Sequence, residues 1–79
     1  MSRQELTYRA RINNIKQKYK LDLDYEHTVY GPSQAHVWCG AWVLNNRQIG
    51  TGESRTKDGA KEDSAKLAFE TLVHLGFRE

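Results

Sequence analysis

The side chains best able to do chemistry together in this chain are three cations, Arg55, Lys57 and Lys61. Lys57 and Lys61 are four positions apart, so on a helix they project from one face, one turn apart. A helix that starts near Lys57 adds free backbone N–H groups and the positive end of its dipole. Cations beside such a terminus suit a phosphate oxygen. Asp58 in the same turn complements the dipole by itself, which is how an ordinary solvated helix start reads. The other reactive residue types do not assemble. His27, His36, His74 and Cys39 do not make the spaced pairs of a zinc site, so no metal is expected. No nucleophile lies at a recognisable spacing from a base, and no Gly-rich lysine loop for nucleotides is present. Glu62 and Asp63 are adjacent on a helix and point apart. These absences describe a non-catalytic binding module with no cofactor and no small-molecule substrate.

The elements that position these residues follow from pattern and composition. The 79 residues make one domain spanning 1–79, with 38% hydrophobic and 28% charged residues, an ordinary globular balance. No apolar run approaches the roughly 18–20 residues that cross a bilayer, and the N-terminus lacks a signal-peptide pattern. A lone Cys39 forms no internal disulfide, which fits a reducing, intracellular setting away from membranes. The net charge is only +2. A polyanion must therefore be met by local clusters of Lys and Arg.

A first helix starts at the Ser2-Arg3-Gln4-Glu5 capping-box spacing or at Thr7, and runs to about Lys20. Tyr8, Ile12, Ile15 and Tyr19 form its apolar stripe. Leu21 to Asp24 reads as a connection. Tyr25 to Tyr30 reads as a strand with Tyr25, His27 and Val29 on one face, and Gly31-Pro32-Ser33 as a break. His36 to Leu44 is the strongest strand, Asn45-Asn46 a two-residue turn, and Arg47 to Glu53 the returning strand. A second helix spans about Lys57 to His74 on Ala65, Ala68, Phe69 and Leu72, and stops at Gly76. The fold class is α+β, in the order α-β-β-β-α, with both helices packed on one face of a three-stranded antiparallel sheet.

Three groups of residues carry a resemblance to a known family. Gly31-Pro32 opens the second strand, with Trp38 six residues on. Trp38, Gly40, Trp42 and Leu44 alternate into the Asn45-Asn46 turn. Gly50-x-Gly52-x-Ser54-Arg55-Thr56-Lys57 leads into Ala60-Lys61, Ser64-Ala65 and Ala68. Together these resemble the double-stranded RNA-binding domain family over nearly the whole chain. The chain departs from the family pattern where Asp58 stands for a lysine, Gln34 for a histidine and Asn14 for a glutamate. The segment from Tyr25 to Gly31 is also one residue short.

The resemblance implies a double-stranded RNA partner, read by shape and phosphate contacts with little sequence preference. Arg55, Lys57 and Lys61 would hold phosphates. Arg11 and Asn14, with Asn13 and Gln17 beside them, would meet one minor groove through the exposed side of the first helix. Gln34 or His36, in the loop stiffened by Pro32, would meet the next. Gly59 would let the backbone come close to a phosphate. Such domains commonly sit within larger proteins, for example beside a ribonuclease III catalytic domain. The family register also turns Val37, Cys39, Ala41 and Val43 outward. Small apolar residues on a wet sheet face suggest the alternative function, a docking surface for a protein partner or a second copy of the chain.

Overall fold

A computed structural model of the protein describes residues 7–79. The Ser2-to-Glu5 capping-box spacing lies outside the described residues, and Thr7 caps the first helix. Its backbone is extended and its Oγ1 accepts from the Ala10 N–H at 3.1 Å. Helix α1 covers Tyr8–Tyr19 and ends where Lys20 turns into the left-handed region. Ile12 and Ile15 are fully buried. Tyr19, the last member of the stripe, stays exposed and packs edge-on against Phe77.

Strand β1 covers Leu23–Tyr30, two residues earlier than the sequence suggests. Leu23 pairs with Leu44 and is only 1% exposed, so core packing extends the ladder into the Leu-Asp-Leu-Asp segment. Strands β2 (Val37–Leu44) and β3 (Arg47–Ser54) are joined by Asn45 and Asn46, with φ of 50° and 69°. Positive φ at both positions matches the right-handed twist of a tight hairpin. The register then slips between Trp42 and Val43, whose partners are Gly50 and Gln48. Ile49 is the extra residue of this bulge and packs against the core. The sheet is antiparallel in the order β1-β2-β3.

Helix α2 covers Lys57–His74. Thr56 caps it, its Oγ1 accepting from the Gly59 N–H at 3.0 Å. At the other end Gly76 adopts a φ of 101°. Its N–H donates to the Val73 carbonyl and that of Phe77 to the Leu72 carbonyl, a Schellman closure.

Helix α2 lies over β3 and β2, with α1 packed beside it. That approach explains Gly50-x-Gly52. A Cβ on Gly50 would overlap the Ala68 nitrogen and the Ser64 carbonyl oxygen, and one on Gly52 would sit 2.5 Å from the Ser64 nitrogen. Glycine on the strand and Ser64, Ala65 and Ala68 on the helix bring two backbones into near contact. The core between the layers holds Ile12, Ile15, Leu23, Trp42, Leu44 and Leu72 around those alanines.

Candidate nucleic-acid interface

The entry to α2 and its first two turns present the three predicted cations differently. Arg55 and Lys57 are exposed. Lys61 is half-buried, its Nζ 5.1 Å from the centre of the Tyr25 ring and 6.0 Å from that of Trp42. The rings hold the ammonium by cation–π attraction at the edge of the core. The Lys61 carbonyl also accepts from Trp42 Nε1 at 3.4 Å and from Ser64 Oγ at 3.0 Å, which fixes this turn of helix to the sheet.

Gly59 lies against the hydroxyls at the entry to α2. A Cβ there would run into Ser54 Oγ and into Thr56 Oγ1, the hydroxyl that caps α2. Glycine makes room for the cap. Asp58 projects into solvent and faces Arg9 of α1 across 3.7 Å.

A contact invisible to local patterns organises the start of α1. Glu62, in the second turn of α2, accepts from the backbone N–H groups of Tyr8 at 2.8 Å and Arg9 at 3.3 Å. Its carboxylate also meets the Arg9 guanidinium at 3.3 Å. The first turn of α1 contains no acidic residue, so α2 supplies the negative charge its dipole favours. The partners are more than fifty positions apart, so no sequence spacing could reveal them.

Along α1, Asn13, Asn14 and Gln17 are exposed. Arg11 is engaged elsewhere. Its guanidinium lies 4.2 Å from the Phe69 ring centre and bonds the Glu79 carboxylate at 2.7 Å. The residues after α2 thus fold back along α1, where Lys18 Nζ also reaches the Glu79 carbonyl at 3.1 Å. Proximity of Arg11 and Asn14 in the helix does not translate into one free polar face.

Gln34 and His36 are exposed in the loop between β1 and β2. The pairings Tyr30 with Val37 and Trp38 with Ser54 put this loop at the sheet end from which α2 departs. The loop and the cations of α2 therefore share one end of the domain. Among the described residues, no three histidine, cysteine or acidic side chains gather as metal ligands would.

The two sheet faces differ in charge. Leu23, Tyr25, His27 and Val29 share the helix-side face with Trp38, Gly40, Trp42 and Leu44. Val37, Cys39, Ala41 and Val43 alternate with these on β2, face outward and are half-buried. Asp24, Glu26 and Glu53 stand beside them in register, and no strand residue on this face is a lysine or arginine. The small side chains leave a shallow trough of about 440 Å³, lined by Glu26, Thr28, Tyr30, Cys39, Ala41 and Glu53 among others. Burial raises the Cys39 thiol above its ordinary pKa, and its 3.4 Å hydrogen bond to Glu53, with that carboxylate's charge, raises it further.

Solved structures share this architecture. The first double-stranded RNA-binding domain of HYL1 superposes with a TM-score of 0.73 at 23% identity, over 84% of this chain and 96% of that one. The fold is that of a double-stranded RNA-binding domain. A structure of Arabidopsis HYL1, described for its implications for miRNA processing, matches this domain with a TM-score of 0.74 at 23% identity and the same coverage. The solution structure holding both such domains of DRB4 with their linker matches at 0.72 and 25% identity, over 92% of this chain and 50% of that one. No family profile and no curated protein sequence matches the chain.

Proposed function

We propose that this domain binds double-stranded RNA through phosphate contacts and minor-groove hydroxyls, with little preference for sequence. The observation that carries the reading is the start of α2, where exposed Arg55 just before the cap, exposed Lys57 and ring-held Lys61 cluster. A-form RNA hides its base edges in a deep major groove, so its phosphates and 2′-hydroxyls are what a rigid surface can read. In this reading Arg55, Lys57 and Lys61 take phosphates across the major groove. Asn14, flanked by Asn13 and Gln17, donates to and accepts from 2′-hydroxyls in one minor groove. Gln34 or His36 reaches the next. Arg11 joins the first groove only by exchanging Glu79 for the RNA. The carboxylates on the outward sheet face support this orientation, because a polyanion is repelled there.

The test is a titration of a roughly 20-base-pair RNA duplex and the matching DNA duplex at two salt concentrations. RNA-selective binding that weakens with salt and is lost in Lys57→Ala/Lys61→Ala supports the reading. Equal, weak binding of both duplexes reduces it to generic electrostatics.

One feature favours a second reading, protein docking on the outward face. The trough over Cys39 and Ala41, between Glu26 and Glu53, suits a basic partner segment. Two copies stacked face to face would bring like charges together, which opposes a symmetric homodimer through Val37, Cys39, Ala41 and Val43. Under this reading Lys57→Ala/Lys61→Ala leaves partner binding unchanged.

A further inference from the structure

Among the described residues, the helices cover only part of the helix-side face of the sheet. Helix α2 occupies β3 and β2, and the isoleucines of α1 share a core with Leu23. Beyond Tyr25 the described helices give less cover: His27 is exposed, Val29 is 42% exposed and Trp38 is half-buried. Four rings run across this opening. Trp42 and Tyr25 lie 5.1 Å apart between centres, Tyr25 and His27 6.1 Å apart with planes within 25°, and His27 and Trp38 5.7 Å apart. One end of the row is anchored in the core, where Trp42 is 8% exposed and its Nε1 bonds the Lys61 carbonyl. The Tyr25 hydroxyl is buried over Gly40, the residue that leaves space for it.

Cations border the same row. Lys61 Nζ stands over Tyr25, and the Arg9 charge acts on the Tyr25 phenol. Trp38 pairs with Ser54, immediately before Arg55. The row thus continues directly into the cluster assigned to phosphates.

We propose that His27 and Trp38, backed by Tyr25, form a stacking shelf for an unpaired base at a bulge in the bound RNA. The inference rests on the duplex-binding reading and deepens it. A continuous A-form duplex keeps its bases stacked and offers an aromatic ring only backbone and groove edges. An extrahelical base offers a π-face, and base–aromatic stacking contributes about 1–3 kcal/mol per base with little dependence on which base it is. Lys61, Lys57 and Arg55 would hold the phosphates flanking that nucleotide while its base lies on the rings.

The experiment compares a blunt 20-base-pair RNA duplex with the same duplex carrying one bulged adenosine, by fluorescence anisotropy. The wild-type domain is expected to bind the bulged duplex about 5- to 160-fold more tightly, the range that this stacking energy corresponds to. His27→Ala is expected to lower the ratio of bulged to blunt affinity. In a Trp42→Phe background, Trp38 emission is expected to be quenched more by the bulged duplex than by the blunt one. If Trp42→Phe does not fold, the His27→Ala ratio decides alone. Equal affinity for both duplexes overturns the shelf and leaves duplex binding standing. A bulge preference that His27→Ala does not reduce also overturns it. Failure to bind either duplex removes the duplex reading and the shelf with it.

Discussion

Asp58 is the residue whose replacement best tests where phosphates bind. It sits in the first turn of α2 with its side chain 88% exposed, between Lys57 and the cap glycine. Asp58→Lys converts a repelled carboxylate into an ammonium. At this exposure the high-dielectric limit applies, and a unit charge about 7 Å from a phosphate contributes about 0.6 kcal/mol before screening. A change of two charges gives about 1 kcal/mol, or roughly a five-fold gain in affinity at low salt. Stability should move the other way. The pair with Arg9 is long at 3.7 Å and exposed, so its loss costs at most about 0.5 kcal/mol. A lysine at the positive end of the helix dipole costs about 0.3–1 kcal/mol more. The assay is anisotropy titration of a 20-base-pair RNA duplex at 50 and 150 mM salt, with thermal melts in parallel. The expected result is tighter binding, a steeper salt slope by about one counterion and a melting point lower by a few degrees. A folded variant whose affinity is unchanged or reduced would refute the assignment of phosphates to this helix start.

Other perturbations test the scaffold. Glu62→Ala removes the acceptor for two N–H groups of α1 and the main partner of Arg9. We expect a loss of about 1–2 kcal/mol and a melting point lower by about 5–15 °C, followed by circular dichroism. A drop below 2 °C would mean that water caps α1 equally well. Gly50→Ala drives a methyl group into the α2 backbone, and urea unfolding should show a loss of more than about 3 kcal/mol or no cooperative transition. Tyr25→Phe deletes a buried hydroxyl that has no hydrogen-bond partner among the described residues, and should stabilise the fold by up to about 1 kcal/mol. Burial raises the Tyr25 pKa above its ordinary 10.0, with Arg9 opposing, so its neutral form stabilises the fold below pH 10. That contribution disappears as pH rises through the raised folded value, a loss that Tyr25→Phe should lack in melts from pH 9 upward.

Much of the architecture was legible because it rests on local rules. Period-3.6 stripes placed Ile12, Ile15, Ala65, Ala68 and Leu72 inward, whereas which face of β2 turns inward came from the register that the family resemblance implies. Asn45-Asn46 and Gly76 marked their turns because positive φ restricts which residues fit. The boundary at Leu23 escaped this reasoning. A strand end depends on whether a partner strand continues beside it, and Leu44 supplies that partner only once the sheet forms.

The candidate site divides in the same way. Residue types and spacing by themselves brought Arg55, Lys57 and Lys61 to the start of one helix, since a turn of helix is a local object. What each cation faces was decided by contacts distant in sequence. Lys61 rests on Tyr25 and Trp42, Arg11 is drawn to Phe69 and Glu79, and Arg9 is held by Glu62 and Asp58. Long cationic side chains reach many places at little conformational cost, so nearby rings and carboxylates choose among them. The segregation of charge between the two sheet faces is likewise set by register. Alternation could pair Glu26 with either surface, and only the ladder to Ala41 put it on the side away from the cations.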